Sequence, residues 1–467
     1  MRTVSKSRRD VLKGLGSLGL GAVALNACGR TGLAPPQANT RYMGDFVAPR
    51  IDTVRCAFIG VGSRGGGHAR QIAEIEGTEI VAISDLYEDL ANSIAAECVA
   101  VGGTRHQDIA LYHSRVDAWE RMLEEARPDA VFVSTPWALH SSMAIAAMQH
   151  GAHVFVEVPL APTIKELWNI IDASESTGRH CMMMENVNYG REELLFLNMC
   201  RQGVIGELLH GEAAYIHDLR RQMRHRDPDR GTGSWRTPHY AERNGNLYPT
   251  HGLGPVAQYM SLARGEDSFS GMVSYSSPAK GRNTYAQENF PADDKWRQLD
   301  FQGGDLNTSL IKTTVGRTIM VQWDETSPRP YTRHNLIQGT RGILAGFPTR
   351  VALEGGVEGA TDNHHDWVEG EQLASIYEKY EHPLYTRLGA LARKMGGHGG
   401  MDFIMRYRII ECLRLGQPLD QNLYEGCFWS AVSPLSEASV AQDGAAQAFP
   451  NFTRGRWQNT QPLGIVA

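Results

Sequence analysis

The residues most able to do specific chemistry stand in a glycine-rich turn. Gly60, Gly62 and Gly65 follow an apolar run and fit the spacing G-x-G-x-x-G. The first glycine permits a tight turn, the second lets the backbone approach a pyrophosphate, and the third lets the following helix pack against the strand. The diphosphate of a dinucleotide then binds at the N–H groups of the helix N-terminus. The spacing therefore predicts a dinucleotide site, with a purely structural glycine turn as the alternative.

A carboxylate beyond the turn supports that prediction. Asp85 ends a second apolar run, residues 79–85, at about 20 residues past the glycines, where an acid that binds ribose is expected. Such a carboxylate accepts a hydrogen bond from the ribose 2′-hydroxyl and repels a 2′-phosphate, which favours NAD over NADP. Arg64, in the turn itself, would instead suit a phosphate. The alternative for Asp85 is the cap of a helix that starts at Leu86.

Alternating strands and helices must position these residues. Strand-like apolar runs at 54–59, 79–85, 128–136 and 153–159 alternate with helical patterns at 87–101, 116–125 and 139–149. A further helix at 163–177 and a strand at 181–189 complete this half of the chain. Such units form a parallel, doubly wound sheet whose ligand binds at the carboxyl ends of the strands. Trp137, His140 and Glu157 lie at or just beyond those ends and become candidate site residues.

The pattern changes in the second half of the chain. Residues alternate between apolar and polar at 211–217, 271–275, 310–315, 318–323 and 335–339, with helices at 252–263 and 400–415. These segments predict a half-buried, largely antiparallel sheet. The fold class is therefore α/β, with an N-terminal Rossmann domain at 53–187 that contains a parallel sheet. A C-terminal α/β domain at 188–467 carries a large, mostly antiparallel open sheet and binds the substrate. The polar stretch 220–248 is predicted to be a long functional loop.

Residues 1–30 resemble a twin-arginine export signal. Arg8 and Arg9 stand in the pattern S-R-R-x-V-L-K, and a glycine-rich, mildly apolar run follows. An N-terminal membrane anchor is the alternative, although the run is short for a span. Residues 25–28 resemble a lipoprotein cleavage box, so lipid attachment at Cys28 and plain cleavage nearby both stay open. Residues 31–52 contain several prolines and glycines and predict a linker. We expect export through the twin-arginine machinery to the periplasm or cell surface.

Export restricts the chemistry. Nicotinamide dinucleotides are scarce outside the cell, so a bound one would be loaded before export and held tightly. The reaction should then return the cofactor to its starting redox state in every turnover. The net charge of −6 argues against a nucleic-acid partner. The sequence contains no H-E-x-x-H or similar spacing, so no metal site is predicted.

The order of the motifs resembles the Gfo/Idh/MocA oxidoreductases. These proteins share the glycine turn, the acid after the second strand, an S-T-P sequence, here residues 134–136, and an E-x-P sequence. Most members read E-K-P, whereas this chain reads Glu157-Val158-Pro159, which argues against an ordinary sugar dehydrogenase.

Further motifs are similar to glycoside hydrolase family 109, the NAD-dependent N-acetylgalactosaminidases. They are W-A-L-H at 137–140, M-E-N-V-N-Y at 184–189, S-W-R at 234–236, Y-P-T-H-G-L-G-P at 248–255 and G-H-G-G-M-D at 397–402.

The resemblance implies a redox-neutral hydrolysis of a carbohydrate with a terminal N-acetylhexosamine. Oxidation at C3 by bound NAD acidifies the C2 proton, and loss of that proton expels the aglycone from C1. Water then adds, and reduction at C3 regenerates NAD. The expected catalytic residues are His251, Tyr189 and Glu157, with Glu157 binding a sugar hydroxyl or the nicotinamide ribose. On their residue types alone they would be a helix contact, a strand cap and a turn residue.

The resemblance also carries over contact residues. With the glycines of the turn, the expected cofactor contacts are Gly60, Gly62, Ser63, Arg64, Gly65, Asp85, Trp137, His140, Glu157, Val158 and Asn186. The expected sugar contacts are Tyr215, Arg236, Tyr248, His251 and Tyr331. His398 and Asp402, at a helix start, are either capping residues or part of the pocket wall. A periplasmic sugar oxidoreductase that recycles tightly bound NAD(P) and a non-catalytic binding protein are the alternative functions. The anomer and aglycone of the substrate, and whether the protein forms a homo-oligomer, stay open.

Overall fold

Six parallel strands form the first sheet of the computed structural model, which describes residues 40–226, 230–461 and 465. The strands are β1 (Val54–Ile59), β2 (Thr78–Ser84), β3 (Ala110–Tyr112), β4 (Ala130–Val133), β5 (His153–Val156) and β6 (Cys181–Met183). The connecting helices are α1 (Ser63–Glu74), α2 (Glu88–Gly102), α3 (Ala118–Ala126), α4 (His140–Gln149) and α5 (Ile164–Thr177). The strand order β3-β2-β1-β4-β5-β6 is the doubly wound order. Its connections diverge after β1 and β4, which opens a crevice at the carboxyl ends of the strands.

The centre of this sheet is apolar on both faces. Phe58, Phe132 and Phe155 stand at paired positions on β1, β4 and β5, and neighbouring rings stack with centroids 5.1 and 5.0 Å apart. All three are fully buried, as expected for a parallel sheet covered by helices on both sides. This rigid centre fixes the loops that follow β1, β4 and β5.

A nine-stranded sheet builds the second half. Its strands are β7 (Leu208–Ile216), β8 (Phe269–Ser276), β9 (Asn307–Thr313), β10 (Thr318–Asp324), β11 (Leu336–Gly339), β12 (Gly342–Ala345), β13 (Arg350–Leu353), β14 (Val368–Glu369) and β15 (Gln447–Ala448). The order is β14-β13-β12-β11-β7-β10-β9-β8-β15, and among these described strands only the β7–β10 pair is parallel. The predicted fold class, a Rossmann domain followed by a mostly antiparallel open sheet, is confirmed.

Eight helices accompany this sheet in the described part of the chain. They are α6 (Arg191–Arg201), α7 (Thr232–Glu242), α8 (Thr250–Tyr259), α9 (Gly281–Asn289), α10 (Ala374–Tyr380), α11 (Pro383–Met395), α12 (Met401–Leu415) and α13 (Leu423–Ala441). Within residues 40–226, 230–461 and 465, no helix is both long and apolar enough to cross a membrane.

Two local predictions are wrong. The strand expected over 181–189 ends at Met183, and residues 186–189 form a 3₁₀ helix. The Glu185 side chain caps this helix, because its Oε1 accepts from Val187 N–H at 3.2 Å. The polar stretch 220–248 is not one long loop, because it contains α7. Glu185 at the end of a short strand starts a new turn, and this changes which way the following side chains face.

The predicted linker is also partly wrong. Its first part, residues 31–39, lies outside the described residues, as do the predicted export signal and Cys28. Residues 40–52 pack onto the domain instead of hanging free: the Tyr42 ring stacks on Tyr424 at 5.1 Å, and Met43 is buried with its N–H donating to the Tyr424 hydroxyl at 3.2 Å. Ile51 N–H donates to the Leu413 carbonyl at 3.1 Å. Aromatic and apolar side chains within a proline-containing stretch account for this docking.

Candidate functional site

The glycine turn has the close geometry that its spacing predicts. Gly60 adopts φ +81°, in the region that favours glycine, and its N–H donates to Ser84 O at 2.8 Å. A Cβ added to Gly65 would overlap the Gly60 carbonyl, so only glycine lets α1 start this close to β1. A Cβ added to Gly62 would meet nothing within 4 Å, because this residue faces open space. The turn is thus a cradle in front of the N-terminus of α1.

Asp85 stands beside that cradle. Its Oδ2 accepts from Val61 N–H at 2.7 Å and its Oδ1 accepts from Tyr87 N–H at 2.9 Å. The N-cap residue of α2 is Tyr87, so Asp85 is not the helix cap that its sequence position also allowed. Its carboxylate instead links the end of β2 to the glycine turn, at the rim of a cavity.

That cavity, which we call the large cavity, has a volume of about 800 Å³. Its lining includes Gly60, Gly62, Ser63, Arg64, Asp85 and Tyr87 on one side and Arg230, Thr232, Ser234 and Trp235 on the other. The volume lies within the range of cofactor pockets, roughly 300–1,000 Å³. Ser134 Oγ, on the wall, is buried and has no hydrogen-bond partner in the described part of the protein. An open cradle and an orphaned hydroxyl fit a bound dinucleotide.

A second space, the small cavity, measures about 250 Å³ and shares Ser63, Arg64, Ser134, Thr135, Thr232 and Trp235 with the large one. Its lining brings together these predicted residues: Ser63, Arg64, Trp137, His140, Glu157, Val158, Asn186, Tyr215, Arg236, Tyr248 and His251. It also contains His217, Gln222 and His398. The two cavities meet at the carboxyl ends of β1 and β4, where a doubly wound sheet binds its ligand.

His251 is held by a buried carboxylate. It lies in the first turn of α8, and its Nδ1 is 2.6 Å from Glu185 Oε1. Glu185 is fully buried, and its Oε2 has no partner within the described residues. A Cβ added to the neighbouring Gly252 would overlap the Ala214 backbone, so glycine lets α8 lie against β7 and brings the His251 ring to 5.1 Å from Tyr215. Histidine and carboxylate form an oriented acid–base pair, with one ring nitrogen left for a ligand.

Aromatic side chains complete that wall. The Tyr215 hydroxyl lies 3.0 Å from His217 Nδ1, and the Tyr248 ring is 4.9 Å from both Tyr215 and His251. Burial raises the pKa of Tyr215 and Tyr248 well above the usual value, so both phenols stay protonated at neutral pH. Tyr331 does not line the small cavity; it packs edge-on against Tyr215 and is 40% exposed. Among the predicted sugar contacts, Tyr331 is therefore the one that the small cavity does not include.

Arg236 is clamped between rings. Its Cζ is 5.0 Å from the Trp137 ring and 4.7 Å from the Tyr248 ring, and its Nη2 donates to Glu325 Oε1 at 2.8 Å. Burial would lower the pKa of Arg236, but Glu325 raises it overall, so the guanidinium stays charged. Its Nε is buried and lacks a partner in the described part of the chain, which leaves a donor beside the small cavity.

Glu157 belongs to a buried charge network. Its Oε1 accepts from Arg64 Nε at 2.9 Å and lies 2.7 Å from His68 Nε2, while Arg406 Nε donates to His68 Nδ1 at 2.7 Å. Although burial favours the neutral acid, Arg64 and His68 hold the pKa of Glu157 well below its usual value. Glu157 therefore acts as an ionised acceptor and not as a proton donor. Arg64 Nη1 also donates to Asp402 Oδ2 at 2.9 Å, which joins α1 to α12.

Titration of His68 should make stability depend on pH. Burial and the nearby Arg406 lower the pKa of His68 from 6.5 to about 4. The unfolded chain takes up this proton first as the pH falls below 6.5, so stability is lost between pH 6.5 and pH 4 by about 3 kcal/mol at most. His68→Gln keeps one donor and one acceptor without titrating there. Urea unfolding across this range should show a shallower pH dependence for this variant, whereas His150→Gln, at an exposed site, should match the wild type. Equal pH slopes for His68→Gln and wild type would contradict the assignment.

His140 and Asn186 differ in what they leave for a cofactor. Both ring nitrogens of His140 lie 2.8 Å from backbone carbonyls, those of Pro159 and Thr135, so this histidine ties together the loops after β4 and β5. Burial lowers the pKa of His140. Asn186 Nδ2 donates to Asp402 Oδ1 at 2.6 Å, and its buried Oδ1 has no partner in the described residues. Asn186 therefore offers a free acceptor on the cavity wall, whereas His140 positions the backbone.

The position found for Tyr189 corrects its expected role. The 3₁₀ helix turns its side chain into the core, where the hydroxyl donates to Asp420 Oδ2 at 3.2 Å. The residue is 1% exposed and lines neither cavity. A phenol enclosed in this way cannot reach a substrate, so we remove Tyr189 from the proton-transfer candidates.

His398 belongs to the wall of the small cavity, whereas Asp402 is outside that lining and is the partner of His398. The His398 Nδ1 lies 2.9 Å from Asp402 Oδ2, and the imidazole lines the small cavity. The N-cap of α12 is Gly400, so neither residue caps that helix. The residues that sequence reasoning missed are Glu185, His217, His68 and Glu325. Of these four, only Glu185 could have been found from the sequence, because it follows a predicted strand and directly precedes the candidate Asn186.

Family models match both halves of this chain. The family model "Oxidoreductase family, NAD-binding Rossmann fold" matches residues 54–185, and "Glycosyl hydrolase 109, C-terminal domain" matches residues 189–459. Among solved structures, levoglucosan dehydrogenase in complex with NADH and levoglucosan has a TM-score of 0.60 at 19% identity, over 85% of this chain and 100% of that one. The scyllo-inositol dehydrogenase from Lactobacillus casei with bound NAD(H) and scyllo-inositol has a TM-score of 0.58 at 13% identity, over 85% and 99%. At these identities the likeness shows the fold alone.

Sequence relatives are much more similar. The chain is 62% identical over 433 residues to glycosyl hydrolase family 109 protein 1 of Akkermansia muciniphila, which covers 92% of this chain and 88% of the relative. It is 54% identical over 450 residues to glycosyl hydrolase family 109 protein 2 of Shewanella sp. (strain ANA-3), and the match covers 95% of this chain and 96% of the relative. The chain therefore belongs to glycosyl hydrolase family 109 and carries an N-terminal NAD-binding Rossmann domain.

Proposed function

We propose that this protein is an NAD-dependent glycosidase that hydrolyses terminal N-acetylgalactosamine by oxidation, elimination, hydration and reduction. The observation that carries the proposal is His251, which lines the small cavity beside the dinucleotide cavity and is held from behind by the buried Glu185 at 2.6 Å. An acid–base pair beside a redox cofactor suits a reaction that moves both protons and electrons at neighbouring carbons.

The carboxylates of the cavity support this route over ordinary glycosidase chemistry. A two-carboxylate mechanism needs one acid and one base or nucleophile on opposite sides of the scissile bond. Of the described residues that line the small cavity, Glu157 is the one carboxylate, and Arg64 and His68 keep it ionised. No second carboxylate of this lining stands opposite it, which favours the elimination route.

The residues that would hold NAD are those of the cradle and the adjoining wall. The N–H groups at the start of α1 would hold the diphosphate and Asp85 a ribose, and the orphaned Ser134 Oγ and Asn186 Oδ1 would offer further contacts. When bound, NAD supplies reversible oxidation at the sugar C3. We further propose that it stays tightly bound and is regenerated in each turnover, as export of a loaded protein through the twin-arginine pathway to the periplasm or cell surface would require.

Asp85 gives a test of cofactor choice. Asp85→Asn keeps an acceptor for the Val61 N–H but removes the charge that repels a 2′-phosphate, so the ratio of the NADP and NAD dissociation constants should fall about tenfold. Calorimetric titration of cofactor-free protein measures both constants. Glu88→Gln removes an exposed carboxylate that does not line the large cavity, and its ratio should equal that of the wild type. An unchanged ratio in Asp85→Asn would refute the ribose contact.

Proton transfers fall to the histidines and tyrosines. Glu185 accepts from His251 Nδ1–H, which leaves the Nε2 of His251 to take a proton from the sugar at C2. The Tyr215 hydroxyl, bonded to His217 Nδ1, can accept the C3 hydroxyl proton on oxidation while it passes its own proton to that histidine, and the reverse transfer accompanies reduction at C3. Arg236 offers its unpaired Nε–H to a hydroxyl or to the acetamido carbonyl. The enclosing rings of Trp137 and Tyr248 fix that arginine.

The test uses purified protein without added cofactor in deuterium oxide. The 4-nitrophenyl glycosides of α- and β-N-acetylgalactosamine are offered separately, and the released sugar is examined by NMR. Nitrophenol release with deuterium at C2 supports the proposed route and a resident cofactor. Release without deuterium at C2 would refute the route and leave a glycosidase. No release from either anomer, with net conversion of a free sugar, would favour a sugar oxidoreductase with recycled NAD(P).

A further inference from the structure

A segment of the second domain forms the outer wall of the large cavity. Residues 230–236, which we call the strap, run from the cavity rim into the first turns of α7. Arg230, Thr232, Ser234 and Trp235 line the large cavity opposite the glycine turn and Asp85. Thr232 and Trp235 line the small cavity as well. The strap therefore spans both spaces, although its residues are distant in sequence from the Rossmann motifs.

An ion pair fastens the first end of the strap to the Rossmann domain. Arg230 Nη1 and Nη2 donate to the two carboxylate oxygens of Asp89 at 3.0 and 2.9 Å. The Arg230 guanidinium also lies over the Tyr87 ring, 4.9 Å from its centroid. Tyr87 itself lines the large cavity, next to Asp85. Bidentate pairing and ring stacking together give the contact a defined geometry.

The other end is fixed beside the small cavity. The Trp235 ring meets the Trp137 ring edge-on at 5.3 Å, and Arg236 reaches the buried Glu325 at 2.8 Å. Between the two ends, Gly231 adopts φ +94°, and a Cβ there would lie 2.7 Å from His225 O. The course of the strap is thus set by close backbone packing, while the Arg230–Asp89 pair is its exposed fastening.

We propose that the strap is part of the cofactor site and that the Asp89–Arg230 pair is the latch that retains the dinucleotide. This inference rests on the tight cofactor binding proposed above and names the residues responsible for it. Opening the pair frees the end of the strap that stands in front of Asp85 and the glycine turn. The pair is half exposed, so its effect is on the rate of cofactor release and not on folding.

The test follows release of labelled NAD. Purified protein is loaded with ¹⁴C-NAD and diluted into excess unlabelled NAD, and the retained label is counted over time. Arg230→Gln and Asp89→Asn should each release label about fivefold faster or more, the effect of losing a well-oriented exposed ion pair. The reversed pair, Asp89→Arg with Arg230→Asp, should recover slow release, which a merely structural role for either side chain would not restore.

Arg121→Gln is the matched control. Arg121 pairs with Glu125 at 3.1 Å within α3 and lies over the Tyr112 ring, 5.4 Å from its centroid, but neither member of this exposed pair lines the large cavity. It should release label at the wild-type rate. Wild-type release from Arg230→Gln, or equally fast release from Arg121→Gln, would overturn the proposal. Thermal unfolding midpoints equal to that of the wild type establish that the variants are folded.

The result does not depend on the glycosidase assignment. Fast release from the latch variants, in a protein that hydrolyses no N-acetylhexosaminide, would refute the proposed reaction and support the latch. Slow release from all variants of an active glycosidase would do the reverse. A folded wild-type protein that contains no NAD as purified and takes up no labelled NAD would overturn both the latch and the proposed cofactor.

Discussion

Replacing His251 with asparagine is expected to lower kcat for a 4-nitrophenyl N-acetylgalactosaminide by about a thousandfold, within the range of a lost acid–base group. Asparagine can still contact Glu185 but cannot take a proton at neutral pH. KM should change much less, because the sugar contacts offered by Arg236 and Tyr248 remain. Steady-state kinetics and NMR in deuterium oxide check this: deuterium incorporation at C2 should fall together with turnover.

His210→Asn is the control for that experiment. His210 is a half-exposed histidine on β7 that bonds to Thr318 Oγ1 at 2.8 Å and does not line the small cavity. Its kcat should remain that of the wild type. Should His251→Asn retain wild-type turnover with C2 exchange intact, the proton-transfer role would belong to another residue, and the Tyr215–His217 pair would be the first to examine.

Glu185 acts through His251 and is therefore a positioning residue. Glu185→Gln replaces the carboxylate that accepts from His251 Nδ1–H with an amide that can also donate, so the imidazole loses its fixed tautomer and kcat should fall by about a hundredfold with KM little changed. Bound NAD should be unchanged, since Glu185 lines neither cavity. An altered NAD content with an unchanged kcat would indicate that the residue supports the fold alone.

The local features of the site could be predicted because adjacent residues determine them. The glycine turn needs only Gly60, Gly62 and Gly65 in register with β1, and Asp85 needs only the end of β2. The resemblance supplied most of the small-cavity residues in the same way, since motifs such as Y-P-T-H-G keep their residues together. Local sequence thus carries the backbone of the site and the groups that face the ligand.

The partners that orient those groups could not be predicted. Glu185 is 66 residues from His251, Glu325 is 89 from Arg236, and His68 is 89 from Glu157. Only the folded arrangement of strands and helices brings them together, and their residue types are common on any protein surface. The prediction for Tyr189 was wrong for the opposite reason. It assumed that the strand continues to residue 189, whereas the 3₁₀ helix at 186–189 turns this side chain into the core. Long-range contacts, not composition, decide these positions.

Glu325→Ala is expected to destabilise the protein by about 4 kcal/mol, the cost of leaving buried charges without a counter-ion. Glu325 is fully buried; it accepts from Arg236 at 2.8 Å and from the Tyr240 hydroxyl, and it lies 3.6 Å from Arg282 Nη2. Its loss leaves two arginines in the interior with no shared carboxylate. The measurement is guanidinium unfolding in excess NAD, because differences in bound cofactor would otherwise alter apparent stability.

The matched control for this value is Glu354→Ala. Glu354 pairs with Arg341 at 3.6 Å with both side chains about 70% exposed, and its loss should cost less than about 1 kcal/mol because water replaces the partner. Equal losses in the two variants would show that the Glu325 cluster is hydrated and that Arg236 is not held in place by a dry ion pair. A large loss confined to Glu325→Ala would mean that the charge of Arg236 is already neutralised by Glu325. The unpaired Nε–H of Arg236 would then suit a neutral ligand.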